Sequence, residues 1–96
     1  MHTTLIWDEA KRAVNLSKHG LDFADADDVL KSRLRLDVNS ERNGQLRTLS
    51  MSYALGVLAV LVLVHFQTDA TVRVISFRRA SRHERNLYNE WLENGE

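Results

Sequence analysis

Hydrophobic positions along the chain change their spacing twice. Between Asp8 and Gly20 they fall at the helical period: Ala10, Ala13, Val14 and Ser17 share one face. Lys11, Asn15 and Lys18 form a polar stripe beside it. Asp8 suits the N-cap, and Gly20 suits the left-handed residue that stops a helix. Lys18 and His19 then lie in the last turn, where cations complement the helix dipole. Asp22 opens a second predicted helix to about Lys31, with Phe23, Ala26 and Leu30 inward and Asp25, Asp27 and Asp28 outward. From Leu34 the period drops to two. Leu34 to Val38 alternates, Asn39 to Gly44 is polar and turn-like, and Gln45 to Tyr53 alternates loosely. Ala54-Leu55-Gly56 turns the chain. Val57 to Phe66 is apolar until His65, as in a central strand covered on both faces, with His65 a partly buried strand-end residue. Gln67 to Ala70 turns again. Thr71 to Phe77 sets Val72, Val74 and Ser76 against Arg73, Ile75 and Phe77. Ser81-Arg82-His83-Glu84 is a capping box, followed by a stripe of Leu87, Tyr88, Trp91 and Leu92, and the chain closes on Asn94-Gly95-Glu96. The pattern predicts an α+β fold: two N-terminal helices, an antiparallel sheet of three to four strands, and a C-terminal helix.

The 96 residues suit one domain over 1–96, and 44% hydrophobic content excludes a charged disordered tail. Cysteine is absent, which removes disulfide frameworks and thiolate chemistry. The N-terminus has no basic stretch leading into an apolar run. The longest apolar stretch, Ala54 to Val64, falls short of the ~20 residues a spanning helix needs. The expected setting is the cytoplasm.

Thirteen basic and thirteen acidic residues cancel. The cancellation hides a segregation. Thr71 to Arg85 holds Arg73, Arg78, Arg79, Arg82 and Arg85 against Glu84 alone, whereas Asp22 to Asp28 holds four aspartates and no base. Guanidinium forks bind phosphate bidentately and stay charged, so the cluster suggests a phosphate-rich partner. The competing reading is a solvated surface with ion pairs. Arg78 and Arg79 are strand neighbours and must point to opposite faces, one of them open to pairing with Asp8, Asp37 or Glu41. Histidines at 2, 19, 65 and 83 have no metal-ligand spacing, so neither a metal nor a cofactor is expected. Phosphate-binding glycine loops and the G-x-S-x-G elbow are missing as well.

Two ordered motifs resemble one family. Trp7-Asp8-Glu9-Ala10-Lys11, then Asn15-Leu16-Ser17-Lys18-His19-Gly20-Leu21-Asp22-Phe23 and Ala26, are similar to the opening of the BrnT toxins. Arg73 to Ser81, with Glu84-Arg85 and Tyr88, resembles that family's later segment, and Gly44-Gln45-Leu46-Arg47 stands where it usually has Gly-Glu-x-Arg. The resemblance implies a RelE-like fold and a ribonuclease toxin of a type II toxin–antitoxin pair. It further implies neutralisation by a DNA-binding BrnA antitoxin, in a heterotetramer that reaches operator DNA through that antitoxin. Three positions depart from the pattern: Gln45 for Glu, Phe77 for a common Ala, and Ser50 where Gly is frequent.

Metal-free RNA cleavage needs a base for the ribose 2′-OH, cations for the phosphate oxygens and an acid for the leaving oxygen. The candidate catalytic residues are His19, Arg47, Arg78 and Glu84, with Arg78 and Arg47 clamping the phosphate and His19 or Glu84 moving the proton. Lys18, Arg79, Arg82 and His83 are the candidate RNA-binding residues, and Trp7 or Tyr88 could stack on a base. The alternative is a degenerate toxin that serves as an antitoxin-binding module, a reading that Gln45 favours.

Overall fold

The computed structural model describes residues 4–94. His2 and the Gly95-Glu96 end therefore lie outside the described residues. The elements run β1 (Thr4–Ile6), α1 (Glu9–His19), a 3-10 turn (Phe23–Asp25), α2 (Asp27–Leu30), β2 (Leu36–Arg42), β3 (Gln45–Tyr53), β4 (Val60–Gln67), β5 (Thr71–Arg79) and α3 (Arg82–Asn94). They build one five-stranded sheet in the order β1-β5-β4-β3-β2. The expected sheet was antiparallel with three to four strands. The observed sheet gains β1, which pairs parallel to β5 through Thr4–Thr71, Leu5–Val72 and Ile6–Arg73. Three residues carry too little periodicity to be read; β1 is a strand because β5 offers it an edge.

Local signals set most boundaries. Asp8 caps α1 by accepting from the Lys11 N–H at 3.1 Å, and Gly20 ends it at φ 72°. Asp22 caps the 3-10 turn, and the expected second helix breaks into that turn and the four-residue α2. Strand β2 runs through the stretch expected to be a turn. Its register, Arg42 opposite Gln45, leaves only Asn43-Gly44 as the loop. Both have positive φ, 53° and 78°, the twist that suits a two-residue hairpin. The next turn contains Leu55 and Gly56, also at positive φ, with the Leu55 N–H donating to Asp28 Oδ2 at 2.8 Å. Residues 57–59 remain in this loop, so β4 starts three residues later than the apolar run suggests, and Leu58 is 98% exposed.

The sheet separates two cores. One face packs Leu61, Leu63, Val74 and Phe77 against Phe23, Ala26 and Val29. The other packs Met51, Val60, Val62 and Val64 against Ala80 and Tyr88 of the α3 side. Each buried aromatic contributes about 1.5–3 kcal/mol by burial, and the Tyr88 hydroxyl is satisfied by donating to the Leu34 carbonyl at 2.7 Å. Tyr88 is thus core and closed to base stacking. Trp7 packs edge-on against Phe23. The α3 capping box forms as its sequence predicts: Ser81 N–H donates to Glu84 Oε1 at 2.8 Å, and Glu84 N–H to Ser81 Oγ at 3.2 Å.

Two directions depart from the hydrophobic pattern. The face of α1 carrying Ala10, Ala13, Val14 and Ser17 is exposed, and the helix's one buried residue is Asn15. Asn15 donates to the carbonyls of Leu21 (3.0 Å) and Phe77 (2.8 Å) and accepts from the Phe77 N–H (3.2 Å). Its amide stands in for a missing strand along the β5 edge beyond β1, which satisfies backbone groups that burial would otherwise orphan. The strict alternation of β5 also breaks. Val64 faces Ser76 but His65 faces Val74, so Ile75 is an extra residue, a β-bulge. Phe77 therefore returns to the face of Val72 and Val74 instead of opposing them.

Candidate functional site

The bulge decides which arginine faces which way. Opposed residues in an antiparallel pair share a face, so Arg78, opposite Val62, lies on the α3 side of the sheet. Arg79, opposite Leu61, turns to the other side. The same register logic places Arg47, Leu49 and Val64 on Arg78's face, with Arg42 and Gln45 nearer the hairpin tip. Helix α3 covers only the end of this face near Met51, Val60 and Tyr88. Farther along lies a shallow pocket of about 180 Å³ lined by Ser40, Glu41, Arg42, Arg47, Leu49, Val64 and Arg78, three guanidinium groups against one carboxylate.

Arg78 is fixed within it. Its Nη1 and Nη2 donate to Glu84 Oε1 and Oε2 at 2.7 and 2.9 Å, a bidentate pair, rather than to Asp8, Asp37 or Glu41. The Arg78 hydrogen bond, reinforced by Ser81, lowers the Glu84 pKa to about 2. A carboxylate so acidic, with both oxygens engaged, is a holder of Arg78 and a poor proton acceptor at neutral pH. Arg47 is different: its Nε is buried with no hydrogen-bond partner among the described residues, a donor left for a ligand or water to satisfy.

His19 stands at the end of α1, beside Lys18, in a neighbouring groove that also contacts Ile75 and Ser76. Burial, then the charges of Lys18 and Arg78, hold its pKa below the ordinary histidine value. Its groove and the arginine pocket meet on nearby residues of β5, Ser76 lining one and Arg78 the other. Arg82 and His83 lie exposed on the first turn of α3 and do not line that pocket. The structure therefore gathers Arg47 and Arg78 at one pocket with Glu84 bound to Arg78, sets Lys18 and His19 in a separate neighbouring groove, and leaves Arg79 on the other face of the sheet. Arg42 was missed because residues 39–44 look like a loop; Asn43-Gly44, a hairpin signal, marks it as strand.

A second polar chain is internal. The Ser50 hydroxyl donates to Asp37 Oδ1 at 2.6 Å and lies 2.8 Å from His65 Nε2. Since the hydroxyl has one proton, His65 must donate through Nε2, which leaves its buried Nδ1 without a partner among the described residues. His65 is 3% exposed, not a half-covered strand end, and burial depresses its pKa. With the serine proton committed to Asp37, the trio stitches β2, β3 and β4 and is no nucleophile. Among the described residues no group of three His, Asp or Glu side chains converges as a metal site would require, and no helix is long and apolar enough to cross a membrane.

The fold and site define a small α+β protein whose half-open sheet face presents guanidinium groups on rigid strands. The family profile described as ribonuclease toxin, BrnT, of type II toxin–antitoxin systems matches residues 7–84. The crystal structure of the Brucella abortus ribonuclease toxin BrnT superposes with a TM-score of 0.65 at 30% identity, covering 83% of this chain and 99% of that one. A comparison with curated protein sequences finds no match. The chain belongs to the BrnT family of ribonuclease toxins of type II toxin–antitoxin systems, and that membership implies an antitoxin partner.

Proposed function

We propose that this chain, acting as one domain in the cytoplasm, is an active endoribonuclease of RelE-like type that cleaves RNA without a metal. The observation that carries the reading is the convergence of Arg47 and Arg78 on one open sheet face, beside the groove that holds His19. His19, neutral near pH 7, takes the 2′-OH proton. The 2′-oxygen attacks phosphorus, Arg78 and Arg47 hold the charge that grows on the phosphate oxygens, and the departing 5′-oxygen takes a proton from solvent. Glu84 positions Arg78 and takes no proton. Lys18 guides the RNA backbone, while Arg82 and His83 extend the cationic surface at the α3 end. A BrnA-type antitoxin silences the enzyme in a heterotetramer that reaches operator DNA through the antitoxin.

Inducible expression in bacteria tests this, with growth and total RNA integrity as readouts. The expected result is growth arrest with RNA breakdown, both lost in a folded Arg78→Ala variant; one charge-stabilising donor typically contributes ~10²–10³-fold. Cleavage that persists in that variant refutes the site. A second reading follows from Gln45, which sits opposite Arg42 on the arginine face and brings no carboxylate there. Folded, well-expressed protein that causes no arrest would make this copy an antitoxin-binding module.

A further inference from the structure

Helix α1 is anchored through Asn15, yet its apolar stripe faces outward. Ala10 and Val14, the latter 65% exposed, join Ile75 to floor a groove of about 360 Å³ between α1 and β5. The rim is cationic: Lys11, Lys18 and His19. No carboxylate lines the groove, and among the described residues neither lysine forms an ion pair. An aliphatic floor with unneutralised cations around it marks a protein-binding surface. RNA fits it less well, because bases are held by aromatic platforms and this floor has none. The Asn15 clamp on Phe77 fixes the helix against the sheet, so the groove is preorganised and a partner need not order it.

We infer that this groove docks the antitoxin through an amphipathic acidic segment. Its apolar side chains fill the floor over Val14 and Ile75, and its carboxylates meet Lys11 and Lys18. Ser76 lines the groove and lies two residues from Arg78, so an occupant abuts the arginine pocket and occludes it. The docking rests on the antitoxin partnership of the family. Only the occlusion rests on the ribonuclease reading above.

The test is calorimetric titration of the purified chain with a BrnA-type antitoxin. Val14→Asp places a charge on the floor and weakens binding at least about 30-fold, as at an interface hot spot. Lys11→Glu weakens it about tenfold, and Lys11→Arg restores it. Both positions are exposed, so melting temperatures stay at the wild-type value. Wild-type antitoxin affinity in both Val14→Asp and Lys11→Glu overturns the inference. Loss of RNA binding with antitoxin binding intact assigns the groove to RNA and overturns it equally. Arg78→Ala separates the two readings: if it still cleaves RNA, the ribonuclease site is wrong, and the antitoxin titrations stand unaffected.

Discussion

Replacing Glu84 with Gln isolates the one strong ion pair of the site. Glutamine keeps the cap, since its carbonyl oxygen still accepts from the Ser81 N–H. What it loses is the charge that faces Arg78 at 2.7 and 2.9 Å. The carboxylate titrates at about 2 in the fold against 4.5 for the free group, which sets a ceiling of ~3 kcal/mol at 1.36 kcal/mol per pH unit. The Arg78 side chain keeps 28% of its surface in solvent, and screening reduces the net value to about 1–2 kcal/mol. Because the folded pKa is depressed, this stability is complete above pH 4.5 and drains away as pH falls toward 2. Urea unfolding at pH 7 should show Glu84→Gln less stable by about 1–2 kcal/mol, or about 4–16 °C in melting temperature. By pH 3 the difference should shrink by about half. A variant as stable as wild type at pH 7, or a deficit that is the same at both pH values, refutes the ion-pair account.

Asn15→Ala should be worse than an ordinary helix substitution. It strips the β5 edge of a donor and an acceptor at Phe77, and buried groups left unpaired cost ~1–3 kcal/mol each; thermal melting should fall by more than 8 °C. Ser50→Ala removes the link between Asp37 and His65 and should cost about 1–3 kcal/mol while leaving RNA cleavage unchanged, since the trio lies away from the arginine pocket. Chemical denaturation paired with a cleavage assay checks both halves of that statement.

Much of this architecture is legible in the sequence. The Asp8 and Gly20 caps, the Ser81–Glu84 box and the presence of the four longer strands follow from local rules, whereas the bounds of β2 and β4 and the alternation of β5 do not. What could not be read depends on contacts between distant segments. β1 exists only because β5 has a free edge. Asn15 is buried, against the helical pattern of its neighbours, because that same edge continues past β1. His65 looks like a strand end until Ser50 and Asp37 arrive from two other strands. For the site, the arginine cluster of the β5 segment was visible, but its division between faces was not. Arg47 and Arg42 are distant from that cluster in sequence and near Arg78 only through the sheet register.

The bulge at Ile75 links these observations. Without the extra residue, β5 would keep strict alternation from Val72, and Phe77 would leave the core of Phe23, Leu61 and Leu63 for the half-open face. Arg78 would then sit over the apolar core, where an unpaired guanidinium is costly. With the bulge, Phe77 is fully buried and Arg78 emerges beside Val64 and Arg47, a common use of bulges near functional sites. Arg78 then lies close enough to the first turn of α3 to meet Glu84, so the capping box that starts the helix also fixes the arginine. One irregular residue thus satisfies the hydrophobic core, aims the cation and joins it to a helix start. It also lets a chain of zero formal charge present a local cationic surface: the acids of Asp25, Asp27 and Asp28 belong to the segment covering the opposite core. Charge separated by a sheet in this way leaves the total balanced while the open face stays positive.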